Sequence, residues 1–208
     1  MRWEKRVERD SVVTVADHHN QHTPICFQFP DYATLLPHCD LTALGTTWHQ
    51  VAGMISALTN AAPGICIHLD RCMKGPRGRI LKCASRLGSD EEVYLPIFLD
   101  AGLDFDHLGY TIVAMMAHVG TDGAGHYRAA LKVQPLVISQ VQPIHWLLTD
   151  DWRSPEAVWA LPPWFESNIT MVWMVRTDVL QLHAYSPQQA APISDLMRLL
   201  SEHQKENE

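Results

Sequence analysis

Along the chain, the spacing of apolar positions shifts from no sustained period, through helical steps, to short strand-like runs. Residues 1 to about 30 show no period and are punctuated at their end by Pro24 and Pro30, which reads as an extension or connecting piece. In "DLTALGTTWHQVAGMISAL", from Asp40 to Leu58, the residues Leu41, Leu44, Trp48, Val51, Ile55 and Leu58 recur at three- and four-residue steps. That is one apolar helical stripe, with Asp40 placed to cap it. Gly45 and Gly53 work against the helix, each by roughly 1 kcal/mol relative to alanine.

After Pro63 and Gly64 the runs "ICIHLD", "RILKCAS" and "EVYLPIFLD" are short, rich in β-formers and separated by Gly, Pro and Asp, as strands are. "YTIVAMMAHV" is apolar on both parities, which predicts a central strand covered on both faces. "HYRAALKV" alternates: His126, Arg128, Ala130 and Lys132 share one face, read as the polar one, and Tyr127, Ala129, Leu131 and Val133 share the other, read as facing the core. "IHWLLTDD" and "NITMVWMV" are two further strands, joined by the proline-broken connection "RSPEAVWALPPW". "PISDLMRLLSEHQKENE" predicts a closing amphipathic helix from near Ser194 that dissolves into a charged tail. A helix followed by hairpin-length strands predicts an α+β domain with an antiparallel sheet.

Composition narrows the partners. Sixteen basic against 23 acidic residues give a net charge of −7, and the basic residues are scattered, so nucleic acid is not an expected partner. No apolar run reaches the roughly 18 residues of a membrane span, and "MRWEKRVERDSVVTV" lacks the texture of a signal peptide. A cytoplasmic or nuclear chain is the simpler reading. The five cysteines, at 26, 39, 66, 72 and 83, contain no CxxC pair, so reduced thiols are expected rather than disulfides or a zinc knuckle. His18, His19 and His22 lie in the polar "ADHHNQHTP", which reads as a solvated loop; a histidine-based metal protein stands as a minor reading of the same residues. No metal or cofactor is assigned.

The residues best suited to chemistry surround His126. An imidazole moves protons near neutral pH, and a carboxylate on its other nitrogen fixes the tautomer. If "HWLLTDD" pairs with "HYRAALKV" as a hairpin, Asp150 and Asp151 return to the neighbourhood of His126, while Gly123 and Gly125 suit a sharp turn that a substrate backbone can approach. The plainer reading is a surface histidine beside a solvated Asp turn.

The ordered segments "PGICIHLDR", "VYLPIFLD", "YTIVAMMAHVGTDGAGHYRAALKV", "WLLTDD" and "ITMVWMVR" resemble the C-terminal, histidine-box half of the ubiquitin-specific protease family of cysteine peptidases, from about Pro63 to Arg176. The resemblance implies a papain-like fold, here the antiparallel palm sheet with one helix before it, and with thumb and fingers largely absent. It implies His126 as catalytic base, Asp150 as the acid that orients it, Asp151 as a secondary acid, and a substrate channel at Gly123, Gly125 and Tyr127. His68, Leu69, Arg71, Pro96, Tyr110, His118 and Gly120 match as sheet residues. Cys72 and Asp70 depart from the family pattern near the matched arginine.

The family's upstream cysteine box has no match. "LGTTWHQVAGMISAL" imitates its outline with Trp48 in the cysteine's place, but lies about twenty residues before "CIHLDR" and reads as the helix preceding that strand. Among the chain's own cysteines only Cys39, beside the proposed cap, sits where a thiolate would be favoured; Cys66 and Cys83 read as small buried hydrophobes. The expected organisation is an N-terminal extension (1–35), a partial catalytic domain (36–180) and a C-terminal helix with tail (181–208). The resemblance implies a deubiquitinase part acting on bonds to the C-terminal glycine of ubiquitin, with ubiquitin or a ubiquitinated protein as partner. The alternative is a non-catalytic module that binds ubiquitin or another protein.

Overall fold

A computed structural model describes residues 1–19, 24–29, 37–51, 53–74, 76–78, 80–88, 92–121, 124–133, 146–150 and 153–184. In chain order, β1 (Trp3–Arg9), β2 (Val12–His19), β3 (Ile25–Gln28) and β4 (His38–Cys39) precede the helix α1 (Leu41–His49). Then come β5 (Gln50–Val51), β6 (Met54–Leu58), β7 (Gly64–Asp70), β8 (Cys72–Lys74), β9 (Ile80–Lys82) and β10 (Arg86–Leu87). The long strands β11 (Glu92–Phe98), β12 (Phe105–Thr121), β13 (Ala124–Lys132), β14 (Trp146–Asp150) and β15 (Arg153–Val158) follow. The described chain ends with α2 (Pro163–Glu166), β16 (Ile169–Arg176) and α3 (Thr177–Ala184).

Among the described residues twelve strands join one sheet, and the molecule is mostly β with few helices. Its organiser is β12. Residues 105–111 of that strand pair with β11 and residues 114–121 with β13, while residues 110–117 pair with β16 on the opposite edge. From β16 the sheet continues through β7 to β3, and from β11 through β6 and β1 to β2. The large pairings are antiparallel; β3 with β7 and the single bridge of β11 with β6 are parallel. A register shift between Ile112 and Ala114 moves the buried parity of β12 from Tyr110 and Ile112 to Met115 and Ala117. That bulge supplies a reason for apolar residues on both parities. The core lies between the buried face of the sheet and α1, whose Leu41, Leu44 and Trp48 meet Phe27 and Leu95 in one cluster.

The sequence and the structure differ in four places. Three strands lie within residues 3–28, where no period was visible: β1 pairs with β6, β3 pairs with β7, and Trp3, Ile25 and Phe27 are buried. A shift between Lys5 and Arg6 breaks the alternation of β1. Arg6 occupies a core position because its guanidinium donates to the carbonyls of Asp100 and Gly102, both at 2.6 Å, and stacks on Phe98. The helix predicted over 40–58 stops at His49. Asp40 caps it by accepting from Ala43 N, but Gln50 is extended and Gly53 takes φ +76°, so the second half of the apolar stripe becomes the β5–β6 hairpin.

The connection "RSPEAV" is strand β15, with Pro155 tolerated on an edge of the sheet. The faces of β13 are also reversed from expectation. Ala130 is buried on the His126 side, whereas Tyr127 is 53% exposed and Leu131 is exposed on the other. Small Ala130 fits against Met115 in the core, while the bulkier alternate residues have no such cover. The helix predicted from Ser194 lies outside the described residues.

Candidate functional site

Two hairpin registers bring the site together. Antiparallel pairing of β12 with β13 sets Val119 opposite His126 and Gly120 opposite Gly125. Pairing of β13 with β14 sets Ala129 opposite Thr149, and the same register carried one residue further faces Arg128 with Asp150. His126 follows on the same face, two residues along. As a result His126 Nε2 and Asp150 Oδ1 are 2.5 Å apart, and Arg128 Nη2 lies 2.5 Å from Asp150 Oδ2. Arg153 Nε approaches the same Oδ2 at 3.9 Å.

The imidazole is 42% exposed and the carboxylate only 18%, so the acid is sheltered and the histidine is reachable from solvent. The hydrogen bond from His126 holds the Asp150 carboxyl below its ordinary value; partial burial opposes this, and the charges of Arg128, His126 and Arg153 reinforce it. Asp150 is therefore ionised at neutral pH, which is the state that orients an imidazole. Arg128 rests over the ring of Trp164, with Cζ 4.9 Å from its centroid. Arg128, Thr149, Asp150, Arg153, Ser154 and Glu156 line a shallow cleft beside the pair.

Glycines are required where the chain enters this site. Gly120 has φ +143°, and a Cβ there would drive into the carbonyl of Ala124. A Cβ on Gly125 would overlap the His118 imidazole and come within 2.8 Å of Val119 O. The His118 ring in turn lies 4.7 Å from that of Tyr127. His118, Gly120, Gly125 and Tyr127 thus form one packed corner next to His126. Gly123 and Asp151, both named from the sequence, lie outside the described residues.

The other matched residues sit in the sheet or, for Arg71, directly after β7. Leu69, Pro96 and Tyr110 are buried, and Tyr110 donates to Ala62 O at 2.9 Å. Arg71, 3% exposed, donates to four backbone carbonyls. His68 is exposed, and its Nδ1 is 3.5 Å from Cys26 Sγ, because β3 and β7 place the two residues side by side. That thiol–imidazole contact had no signal in the sequence: nothing there shows that residues 25–28 form a strand beside β7.

The thiol contacts of Cys26 and Cys39 go to other groups, Cys26 to His68 and Cys39 to Asp40. Cys39 precedes the Asp40 cap as expected, yet its Sγ points to Asp40 O at 3.8 Å, and burial together with the Asp40 charge pushes the thiol up from its ordinary value. Cys26 is raised by burial and by Asp70, and Cys66 by burial. Cys83 is fully buried, as read from the sequence; Cys66 is only partly so. Trp48 belongs to the aromatic core, 5.5 Å from Trp3 and 5.9 Å from Phe27. Among the described residues no group of three or more His, Cys, Asp or Glu could hold a metal ion. His18 and His19 end strand β2, and His22 lies outside the described residues. No helix among them is long and apolar enough to cross a membrane.

Neither a protein-family model nor a curated protein sequence matches the chain. Solved structures do. The yeast SAGA DUB module with an Sgf73 mutant superposes with a TM-score of 0.55 at 13% identity, covering 84% of this chain and 37% of that one. The SAGA Ubp8/Sgf11/Sus1/Sgf73 DUB module bound to ubiquitin aldehyde gives a TM-score of 0.57 at 11% identity, over 84% and 40%. The Ubp8-Sgf11-Sgf73-Sus1 module gives 0.54 at 11% identity, over 84% and 39%. The chain therefore spans about two fifths of the chains it matches, and along 84% of its own length it has the fold of the Ubp8 ubiquitin-specific protease module of SAGA.

Proposed function

We propose that this chain is the histidine-bearing part of a thiol-dependent deubiquitinase, hydrolysing bonds to the C-terminal glycine of ubiquitin with a cysteine supplied from outside the chain. The observation that carries this reading is the 2.5 Å contact of His126 Nε2 with Asp150 in a fold shared with a DUB module. With Nε2 held by the carboxylate, Nδ1 is the nitrogen that exchanges a proton with a reacting group. His126 takes the thiol proton as the sulfur attacks the glycine carbonyl, then returns it to the leaving amine, and water releases the acyl group. Asp150 remains ionised throughout and offsets the imidazolium charge. Gly125 and exposed Tyr127, which flank His126 along β13, would line the approach of the substrate tail.

The raised thiols of Cys26, Cys39 and Cys66 speak against a nucleophile among these three, which leaves a module that binds ubiquitin without cleaving it as the second reading when the chain acts alone. Titrating unlabelled ubiquitin into the isotope-labelled chain should shift amides at Gly125, His126 and Tyr127; an unperturbed spectrum at high ubiquitin concentration counts against both readings. A ubiquitin C-terminal electrophile should leave the chain unlabelled. Labelling that vanishes in Cys39→Ser would overturn the assignment of the nucleophile to another chain segment.

A further inference from the structure

The carboxylate of Asp150 is engaged through both of its oxygens. Oδ1 meets His126 Nε2 and Oδ2 meets Arg128 Nη2, both at 2.5 Å. A carboxylate anchored at a single oxygen swings about its Cβ–Cγ bond, and Arg153, 79% exposed, offers a competing charge at 3.9 Å. Arg128 removes that freedom. Its own guanidinium is held in turn, because its Cζ lies over the Trp164 ring, 4.9 Å from the centroid, while Nη2 donates to Asp150.

Trp164 is 38% exposed, and its ring packs edge-on against Phe165 at 5.6 Å between centroids. It lies in α2 next to Phe165, which is fully buried, and its carbonyl accepts from Asn168 Nδ2 at 2.6 Å. Asn168 ties this segment to β12 by accepting at its carbonyl from His118 N at 2.9 Å, and it also accepts from Lys82 Nζ at 2.8 Å. A continuous path therefore runs from α2 through Trp164, Arg128 and Asp150 to His126 on β13, the strand that pairs with the one carrying His118.

We propose that Arg128, backed by Trp164, is a positioning residue: it locks the Asp150 carboxylate in the rotation that presents Oδ1 to His126 and so sets the imidazole's orientation. The inference rests on the reading of His126 and Asp150 as a working histidine–acid pair. Charge alone does not accomplish this. A lysine at 128 would keep the positive charge but lose the planar fork that stacks and donates at once. Arg153 cannot substitute, since its nitrogen stands 3.9 Å from the oxygen and its side chain is open to solvent.

The test follows the Nε2 proton of His126 by proton and nitrogen NMR of the full chain, measuring its exchange with solvent at one pH. In the wild-type protein the proton should be protected by Asp150. Arg128→Gln should speed its exchange by about tenfold, the loss expected when one charge-assisted bond no longer fixes the acceptor. Arg128→Lys should fall closer to Arg128→Gln than to the wild type. Unchanged exchange in Arg128→Gln, with a melting temperature near that of the wild type, overturns the proposal. Should Arg128→Gln fail to fold, Trp164→Leu decides: it leaves every charge in place and should still accelerate exchange, and unchanged exchange there overturns the proposal equally. Asp150→Ala separates this inference from the reading beneath it. Protection that survives Asp150→Ala sinks the histidine–acid pair itself, whereas protection lost there and retained in Arg128→Gln sinks only the role of Arg128.

Discussion

Replacing Arg71 with methionine removes the donors of four hydrogen bonds while keeping an unbranched apolar stem. The carbonyls left behind belong to Ile169 (2.5 Å), Cys83 (3.0 Å), Ser85 (2.8 Å) and Glu166 (3.0 Å), so one side chain ties the segment after β9 to α2 and to the start of β16. Bonds to a charged donor are worth about 1.5–3 kcal/mol each, which caps the gross loss near 6–12 kcal/mol. Two effects return part of it. Burial already opposes the guanidinium charge, lowering its pKa to about 10, so removing it recovers desolvation, and water can reach some of the carbonyls. A net loss of about 3–5 kcal/mol remains, the range seen when a buried charge network loses a member. Against a typical total of about 5–15 kcal/mol this is a large fraction of the stability. In equilibrium urea unfolding followed by tryptophan fluorescence, a slope of about 2.5 kcal/mol per molar places the midpoint roughly 1–2 M lower. A net loss below about 1 kcal/mol would mean that water satisfies those carbonyls, and the argument from their burial would fail.

Two other substitutions probe the sheet and the site corner. Burial pushes Tyr110 up to about 12, so its contribution is complete below the unfolded value near 10 and is lost as pH rises toward 12. Tyr110→Phe should cost about 1–2 kcal/mol at neutral pH through the lost bond to Ala62 O, and between pH 10 and 12 the gap from the wild type should narrow; a constant gap refutes the shift. Gly125→Ala would stabilise an ordinary strand, but here the new methyl meets His118 and Val119 O, so a loss of about 1–3 kcal/mol is expected; an unchanged or higher Tm would show that the corner is loose.

What could be read in advance divides along a physical line. Strands whose faces differ cleanly announce themselves: Ile65, Ile67 and Leu69 alternate and are buried, and "VYLPIF" and "WLLTD" lie where β11 and β14 run. Elements whose core positions are filled by unusual means do not. In β1 the second inward residue is Arg6, acceptable only because two carbonyls from the Leu99–Asp104 turn and the face of Phe98 receive it. No local pattern encodes a partner ninety residues away. The helix boundary was hidden for a related reason, since the helical period of Val51, Ile55 and Leu58 is also compatible with the β5–β6 turn once Gly53 adopts positive φ.

The site shows the same division at closer range. Spacing together with a hairpin hypothesis brings Asp150 near His126, and the register of β13 with β14 provides the contact. The face on which the contact occurs was not legible, because alternation in "HYRAALKV" sorts residues into two sets without saying which set the core takes. The core took the set with Ala130, a residue too small to bias the pattern, and left Tyr127 exposed on the opposite face, against the ring of His118. Arg128 was grouped with His126 on the polar face, a placement that gave no reason to expect a partner. Its position on the Asp150 side makes it a contact of the acid, and Trp164, more than thirty residues away, supplies the surface that holds it there. A charged residue two positions after a histidine is thus uninformative in one dimension; it gains meaning only when the neighbouring strand shows which carboxylate it faces.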